Sequence, residues 1–236
     1  MRPSKRLFNQ MRPVNIETGV SKYAEGSCII KFGETHVLCT ASVEEKVPPF
    51  LQNSGRGWIT AEYNMLPRAT NSRSNRRRIA QSGRTQEIQR LIGRSLRAIT
   101  NLEGFGELQI IVDCDVLQAD GGTRTASITG GYVALQLAFQ HLKSIGLVNN
   151  MPTNSQVAAV SCGIWKGKSI LDLDYSEDST ADADANFVLT ANGKIIEIQG
   201  TAEKDPFDRE KFNEMLALAT KGIGELCEIQ KQALQA

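Results

Sequence analysis

Three stretches of the chain concentrate side chains suited to phosphate and hard-metal chemistry. The first, LPRATNSRSNRRRIAQSGR, carries six arginines between Arg68 and Arg84 and no acidic residue. A planar guanidinium presents parallel donors that match phosphate oxygens, and several in one polar loop make an electrostatic handle for a polyanion. The competing reading is a solvated basic loop paired with acids elsewhere. The lack of interleaved acids favours nucleic acid. Arg84 closes the loop within Ser82-Gly83-Arg84-Thr85, where a following helix can hold it rigidly, while Arg90, Arg94 and Arg97 read as that helix's solvated face.

The second stretch, QADGGTRTASITGG, spans Gln118 to Gly131. Gly121 and Gly122 allow backbone torsions closed to other residues and let the chain approach a ligand closely. The first turn of the next helix offers unpaired N–H groups and the positive end of its dipole, an anion site to which Arg124 adds a charged donor. Thr123, Thr125 and Ser127 can donate hydroxyls to a ligand or cap the helix. Composition and spacing alone favour a glycine turn with a helix cap over an anion site, since the stretch is neither a P-loop nor a GxGxxG.

The third, LDLDYSEDSTADADAN, covers residues 171–186 and crowds Asp172, Asp174, Glu177, Asp178, Asp182 and Asp184 together. Carboxylates gain little by crowding unless a cation or arginines sit between them. An EF-hand fits poorly, because Phe187 stands where its glycine belongs. Period-two reasoning cannot choose among the aspartates, which all share parity, and an exposed acidic turn is the alternative. Taken together, phosphate binders, a polyanion grip and a carboxylate group suit phosphoryl or nucleotidyl transfer on a nucleic acid.

Other chemistries find little support. The five cysteines form no CxxC pair and read as reduced, buried thiols, and His36 and His141 lie too far apart for zinc-site spacing. Any metal must then be held by carboxylates, which points to magnesium or manganese. A net charge of +1 over 236 residues gives no overall pull toward nucleic acid, so affinity must come from local patches. The N-terminus lacks an apolar segment of signal-peptide length, and no run suits a membrane span, so a cytoplasmic protein with no membrane partner is expected.

The elements that must position these residues follow from periodicity. Strands are predicted over GSCIIKFG and THVLCTASVEEKV, joined by a Gly33-Glu34 hairpin, and over residues 107–117. Apolar residues at helical spacing predict a helix over RTQEIQRLIGRSLRAIT, another from about Thr125 to Leu142, and a C-terminal one from about Asp208 with Phe212, Met215, Leu216, Ala219 and Ile223 inward. VAAVSCGIW, SILDLDY and NFVLTANGKIIEIQG predict further strands, the last a hairpin through Asn192-Gly193. No repeat or linker interrupts the chain, so residues 1–236 read as one α+β domain.

The motifs ASVEEKVPPF, GWITAEYNMLPRAT, SGRTQEIQRLIGRSLRA, DCDVLQADGGTRTASITG, LDLDYSEDSTADADAN and EIQGTAE together span nearly the whole chain. In them the sequence resembles the ribonuclease PH family, phosphate-dependent 3′-exoribonucleases that trim tRNA precursors and are related to polynucleotide phosphorylase cores and exosome ring subunits. The resemblance implies an α+β fold like the second domain of ribosomal protein S5, with mixed sheets packed against helices. It also implies a homo-oligomer, a hexameric trimer of dimers with active sites near subunit boundaries.

The family's phosphate-binding residues fall on Arg84, Gly122, Thr123 and Arg124, and its catalytic, metal-linked aspartates on Asp178 and Asp184. Its tRNA-contacting arginines fall on Arg68, Arg73 and Arg76. Inorganic phosphate is the implied co-substrate, magnesium or manganese the implied cofactor, and tRNA precursors and other RNA 3′ ends the implied partners. The reverse reaction would add nucleotides from nucleoside diphosphates. Two departures stand out: the loop between LPRAT and SGRT is slightly shortened, and Lys5 occupies a position where glycine is expected. A non-catalytic ring subunit would have lost the Arg84, Arg124, Asp178 and Asp184 set, and a hydrolytic nuclease would need no phosphate cradle.

Overall fold

A computed structural model of the chain describes residues 2–235. Two sheets sandwich a central helix. The first sheet has five strands, β1 (Val14–Thr18), β2 (Gly26–Phe32), β3 (Thr35–Glu44), β4 (Trp58–Met65) and β5 (Gln109–Gln118), in the order β1-β2-β3-β5-β4. Its neighbours are antiparallel except for β4 and β5, which run parallel. The second sheet has the antiparallel order β7-β6-β8-β9, from β6 (Val157–Trp165), β7 (Lys168–Leu171), β8 (Ala183–Thr190) and β9 (Ile195–Ala202).

The helices are α1 (Arg76–Ala80), α2 (Gly83–Ala98), α3 (Thr123–Ser144), α4 (Tyr175–Asp178) and α5 (Arg209–Gln235). α3 packs on β2 and β3 from one side and on β6 from the other, α2 covers β4, and α5 covers β6 and β1. Because α3 is enclosed on both sides, its sequence is small or apolar almost all round rather than striped. Gly26 permits the closest approach: a Cβ there would stand 2.0 Å from the Ala134 carbonyl oxygen on α3.

Strand patterns match their surroundings. β5 alternates, burying Ile110, Val112, Cys114 and Val116, as the period-two reading expects. β6 is buried at every position because helices cover both of its faces. One cluster of buried apolar side chains runs through both sheets and includes four of the cysteines on strands plus Cys227 on α5, all free thiols. The Gly33-Glu34 hairpin forms as expected, with Gly33 at φ +52°. On α5, Met215, Ala219 and Ile223 are buried, and Phe212 and Leu216 pack partly against the core.

Several boundaries differ from the sequence reading. α3 begins at Thr123, two residues before the expected start, because Gly122 at φ +67° serves as its N-cap. SILDLDY yields only the four-residue β7 before the chain leaves the sheet at Asp172, a non-glycine residue held at φ +53°. β8 begins at Ala183 and so takes Asp184 onto a strand. The arginine-rich segment is not all loop: Asn75 caps the short α1 by accepting from the amides of Arg77 and Arg78. β1 and β4 were not foreseen from periodicity. Lys5 adopts φ +61°, a left-handed torsion that explains why glycine suits that place.

Candidate active site

The cleft is assembled from α2, α3, the α4–β8 segment and β9. Gly83 and Arg84 open α2, whose N-terminus is fixed by Ser82 accepting from the Thr85 amide. Thr123 and Arg124 open α3, which lacks any side-chain cap, so its first-turn amides have no intrahelical partner. Asp178 ends α4, which a capping box between Asp174 and Glu177 holds in place. Asp184 lies on β8, where alternation buries Ala183 and Ala185 and turns Asp184 and Asn186 the other way. Opposite them in register on β9 stand Thr201 and Gln199.

Arg84, Arg124, Asp178, Asp184, Glu87 and Glu203 line one polar cavity of about 340 Å³, with Asn186, Gln199 and Thr201 completing its wall. Arg124 Nη1 donates to Gln199 Oε1 at 2.7 Å and to Glu87 Oε1 at 3.3 Å, so its guanidinium is braced from β9 and α2 together. Burial raises the Asp178 pKa, while Arg84 and Arg124 pull it back and Glu203 pushes it up again. Asp184 is also raised, first by burial and then by the charges of Asp178 and Glu203, with Arg124 opposing. Two carboxylates that burial and neighbouring acids hold above their ordinary range, facing two arginines, form a site that gains from a cation and an anion bound side by side.

The hydroxyls of the opening motif do other work. Thr123 Oγ1 shares a 2.8 Å hydrogen bond with the buried Tyr63 hydroxyl, whose pKa burial raises. Thr125 Oγ1 donates to the Gly122 carbonyl and Ser127 Oγ to the Thr123 carbonyl, so neither caps α3. Backbone amides and the Arg124 guanidinium are what this turn offers an anion. Gly121 lies directly on the chain before α4: a Cβ there would stand 2.8 Å from the Leu173 oxygen and the Asp174 carbonyl carbon.

The acidic stretch divides cleanly. Asp172, Asp174 and Glu177 are neutralised by Arg2, Arg6 and Arg12, with Arg2 Nη2 to Glu177 Oε2 and Arg12 Nη2 to Asp172 Oδ1 both at 2.7 Å. Asp182 pairs with Lys204 at 2.7 Å on the surface. Asp178 and Asp184 alone among the six face the cleft. Among the described residues no three His, Cys, Asp or Glu side chains converge into a closed metal cage. The aspartate pair is an open platform of oxygen donors, the arrangement in which magnesium keeps positions for water and substrate phosphate.

The structure does not bring Arg68, Arg73 and Arg76 into this cleft. All three are exposed, and Arg68 borders a neighbouring groove of about 510 Å³ with Thr70, Asn71 and Tyr175. Arg97, read as a solvated residue, instead stacks over Trp58 at 4.5 Å and donates to the Ile59 carbonyl, and Arg94 pairs with Glu197. Sequence reasoning missed Gln199, Thr201 and Glu203 as cleft residues. The signal was present: EIQGTAE places Glu197, Gln199, Thr201 and Glu203 at period two on one face of an edge strand.

Residues 10–139 match the 3′ exoribonuclease family, domain 1, and residues 155–222 match domain 2 of the same family. A protein named ribonuclease PH from Methylobacterium sp. (strain 4-46) is 61% identical over 99% of this chain and 100% of its own. Its namesake from Rhodospirillum rubrum is 60% identical over 99% of this chain and 98% of its own. Among solved structures, rice (Oryza sativa) Rrp46 is similar with a TM-score of 0.80 and 19% identity, covering 99% of this chain and 100% of that one. The Archaeoglobus fulgidus exosome with RNA bound to the active site gives 0.83 and 22%, covering 96% of this chain and 91% of that one.

Proposed function

Because the chain belongs to the ribonuclease PH family of 3′ exoribonucleases, we propose that the cavity between Arg84, Arg124, Asp178 and Asp184 is where it carries out phosphorolysis. The protein is a phosphate-dependent 3′ exoribonuclease, a tRNA nucleotidyltransferase that trims tRNA precursors and releases nucleoside 5′-diphosphates. The observation that carries the site assignment is the facing of two arginines and two aspartates across one cleft beside an uncapped helix N-terminus.

Inorganic phosphate is held by the Gly122–Thr123–Arg124 turn, with Arg84 offsetting its charge. Arg124, braced by Gln199 and Glu87, orients the phosphate so that one of its oxygens attacks the last phosphodiester in line. That P–O bond forms as the bond to the 3′ oxygen breaks. The shortened RNA leaves with a 3′-hydroxyl, and the departing nucleotide carries the new pyrophosphate linkage. Since a phosphodiester is exchanged for a phosphoanhydride, the polymerising direction from nucleoside diphosphates is accessible too. Catalysis here is positioning and charge stabilisation.

Asp178 and Asp184 would hold a divalent ion, magnesium or manganese, which would supply stabilisation of the charge on the phosphate oxygens. The charge of Asp178 raises the Asp184 pKa after burial does, and a bound cation would relieve that repulsion. Arg68, Arg73 and Arg76, all exposed, grip the tRNA backbone. One apolar cluster extending through both sheets supports a single domain over residues 1–236. A hexameric trimer of dimers is the assembly proposed. Buried free thiols fit a reducing compartment, the cytoplasm, and no helix among the described residues is long and apolar enough to cross a membrane.

The test is product identity. A 3′-extended tRNA incubated with the protein, phosphate and magnesium should yield nucleoside diphosphates, and trimming should stop without phosphate. Monophosphate products, or trimming indifferent to phosphate, would sink the reading. Chelation that left the rate unchanged would remove the metal from it.

A further inference from the structure

The N-terminal segment packs against the glycine turn that precedes α3. Arg12, nearly buried, donates from Nε and Nη2 to the two carboxylate oxygens of Asp172 at 2.9 and 2.7 Å. Its Nη1 reaches the Asp120 carbonyl at 2.5 Å, and Nη2 reaches the Gly121 carbonyl at 3.4 Å. The same Nη2 lies 3.1 Å from where a Gly122 Cβ would stand. Thr35 closes the arrangement, donating to the Gly121 carbonyl at 2.7 Å and accepting from the Asp120 amide at 2.9 Å. The glycine turn is thus gripped through its backbone carbonyls.

Arg2 and Arg6 grip the turn that carries Asp178. Arg2 donates to both oxygens of Glu177 and to the Asp172 carbonyl, and Arg6 reaches Asp172, Asp174 and Glu177. Glu177 immediately precedes Asp178, and Asp174 caps the turn that ends in it. Asp172 is the shared node, receiving Arg12 from the glycine side and Arg6 from the carboxylate side. Three arginines and three carboxylates, all but Arg6 and Asp174 nearly inaccessible, meet where the backbones of Gly121 and residues 173–175 touch.

Taking Gly122–Arg124 as the phosphate site, we propose that Arg2, Arg6 and Arg12 form a clamp that fixes the phosphate turn against the Asp178 turn, with Arg12 the positioning residue for the attacking phosphate. Its planar fork suits the task because one guanidinium spans a carboxylate and two carbonyls at fixed angles, which an ammonium cannot. Small displacements of a positioned nucleophile carry large rate penalties. The clamp therefore acts on phosphate use more than on RNA retention.

Arg12→Lys keeps the charge and loses the fork. It should raise the KM for phosphate about tenfold, with the KM for tRNA within about twofold of the parent. Thr35→Val, which is close in shape and removes no charged group, should raise the phosphate KM about three- to tenfold and decides the matter if Arg12→Lys does not fold. Ile223→Val on α5 serves as the control for simple destabilisation: it should lower the melting temperature and leave the phosphate KM unchanged.

Arg124→Ala run in parallel separates two failures. If Arg124→Ala raises the phosphate KM while Arg12→Lys and Thr35→Val leave it within twofold of the parent, the clamp is wrong and the phosphate site stands. If Arg124→Ala leaves phosphate use unchanged, the phosphate site itself is wrong and the clamp falls with it. A matching rise in the phosphate KM for Ile223→Val would reduce the effect to lost stability and overturn the positioning role.

Discussion

Arg124 on the first turn of α3 donates to Gln199 on β9 at 2.7 Å, and this one bond joins the helix between the sheets to the edge strand of the second sheet. The guanidinium that faces the cleft is therefore held by a neutral amide as well as by the exposed Glu87. An amide braces the arginine without cancelling its charge, which stays available to an anion.

Removing the arginine should cost much more than removing its brace. Arg124→Ala is expected to lower phosphorolysis about 10²–10³-fold, the scale on which a single transition-state donor acts. Gln199→Leu should raise the phosphate KM only a few-fold. Steady-state kinetics with varied phosphate at saturating tRNA measures both, and equal effects would contradict the division of roles.

Gly121 has no room for a side chain. Its φ is +78°, and a Cβ would collide with the backbone of residues 173–175. Gly121→Ala should destabilise the protein by about 2–3 kcal/mol, lowering the melting temperature by roughly 5–10 °C. A variant that melts with the parent would show the two turns to be less tightly apposed than the structure has them.

Lys5 works in the opposite direction. A left-handed torsion costs a side-chain-bearing residue about 1–2 kcal/mol, and glycine's greater freedom in the unfolded chain returns part of that. Lys5→Gly should therefore stabilise by about 0.5–1 kcal/mol, seen as a higher urea midpoint with unchanged slope. A lower midpoint would mean the Lys5 side chain contributes more than its torsion costs.

The thiols should be silent. Burial pushes the Cys227 pKa up to about 11, with Lys231 opposing the rise and Glu228 adding to it, and hydrogen bonds with the Cys114 and Cys28 thiols, then burial, raise Cys39. A raised thiol pKa depletes the reactive thiolate, leaving roughly 0.1% of Cys227 ionised at pH 8. A disulfide exchange reagent at pH 8 should label the native protein slowly and all five cysteines after denaturation. Rapid native labelling would place a thiol outside the core.

The exposed arginines make a salt prediction. Alanine at Arg68, Arg73 or Arg76 should each weaken tRNA binding and reduce the slope of log affinity against log salt by about 0.7–0.9. Phosphate KM should hardly move, because none of the three lines the cleft. An unchanged slope for all three would assign RNA retention to other residues.

Much of the fold was legible in the residues alone. Period-two apolar spacing marked β5, strand-like apolar segments marked β2, β3, β6 and the β8–β9 hairpin, and helical spacing marked α2, α3 and α5, because each of these buries one defined face or a whole run. β1 and β4 escaped: β1 is a short edge strand without a buried position, and β4 mixes polar residues with its apolar ones. The motif with Gly121 and Gly122 was visible as a turn, yet its chemistry was undecided until the family resemblance and then the cleft gave it neighbours.

The acidic stretch shows what local pattern cannot carry. The sequence by itself determined that six carboxylates lie close together and that a cation or arginines must offset them. Only the tertiary structure decided which, by bringing Arg2, Arg6 and Arg12 from more than 150 residues away to Asp172, Asp174 and Glu177. Asp178 and Asp184 remain to face Arg84 and Arg124. Spacing along a chain fixes which side chains share a face of one element, whereas charge compensation acts through space between elements, and its partners are settled when the elements pack.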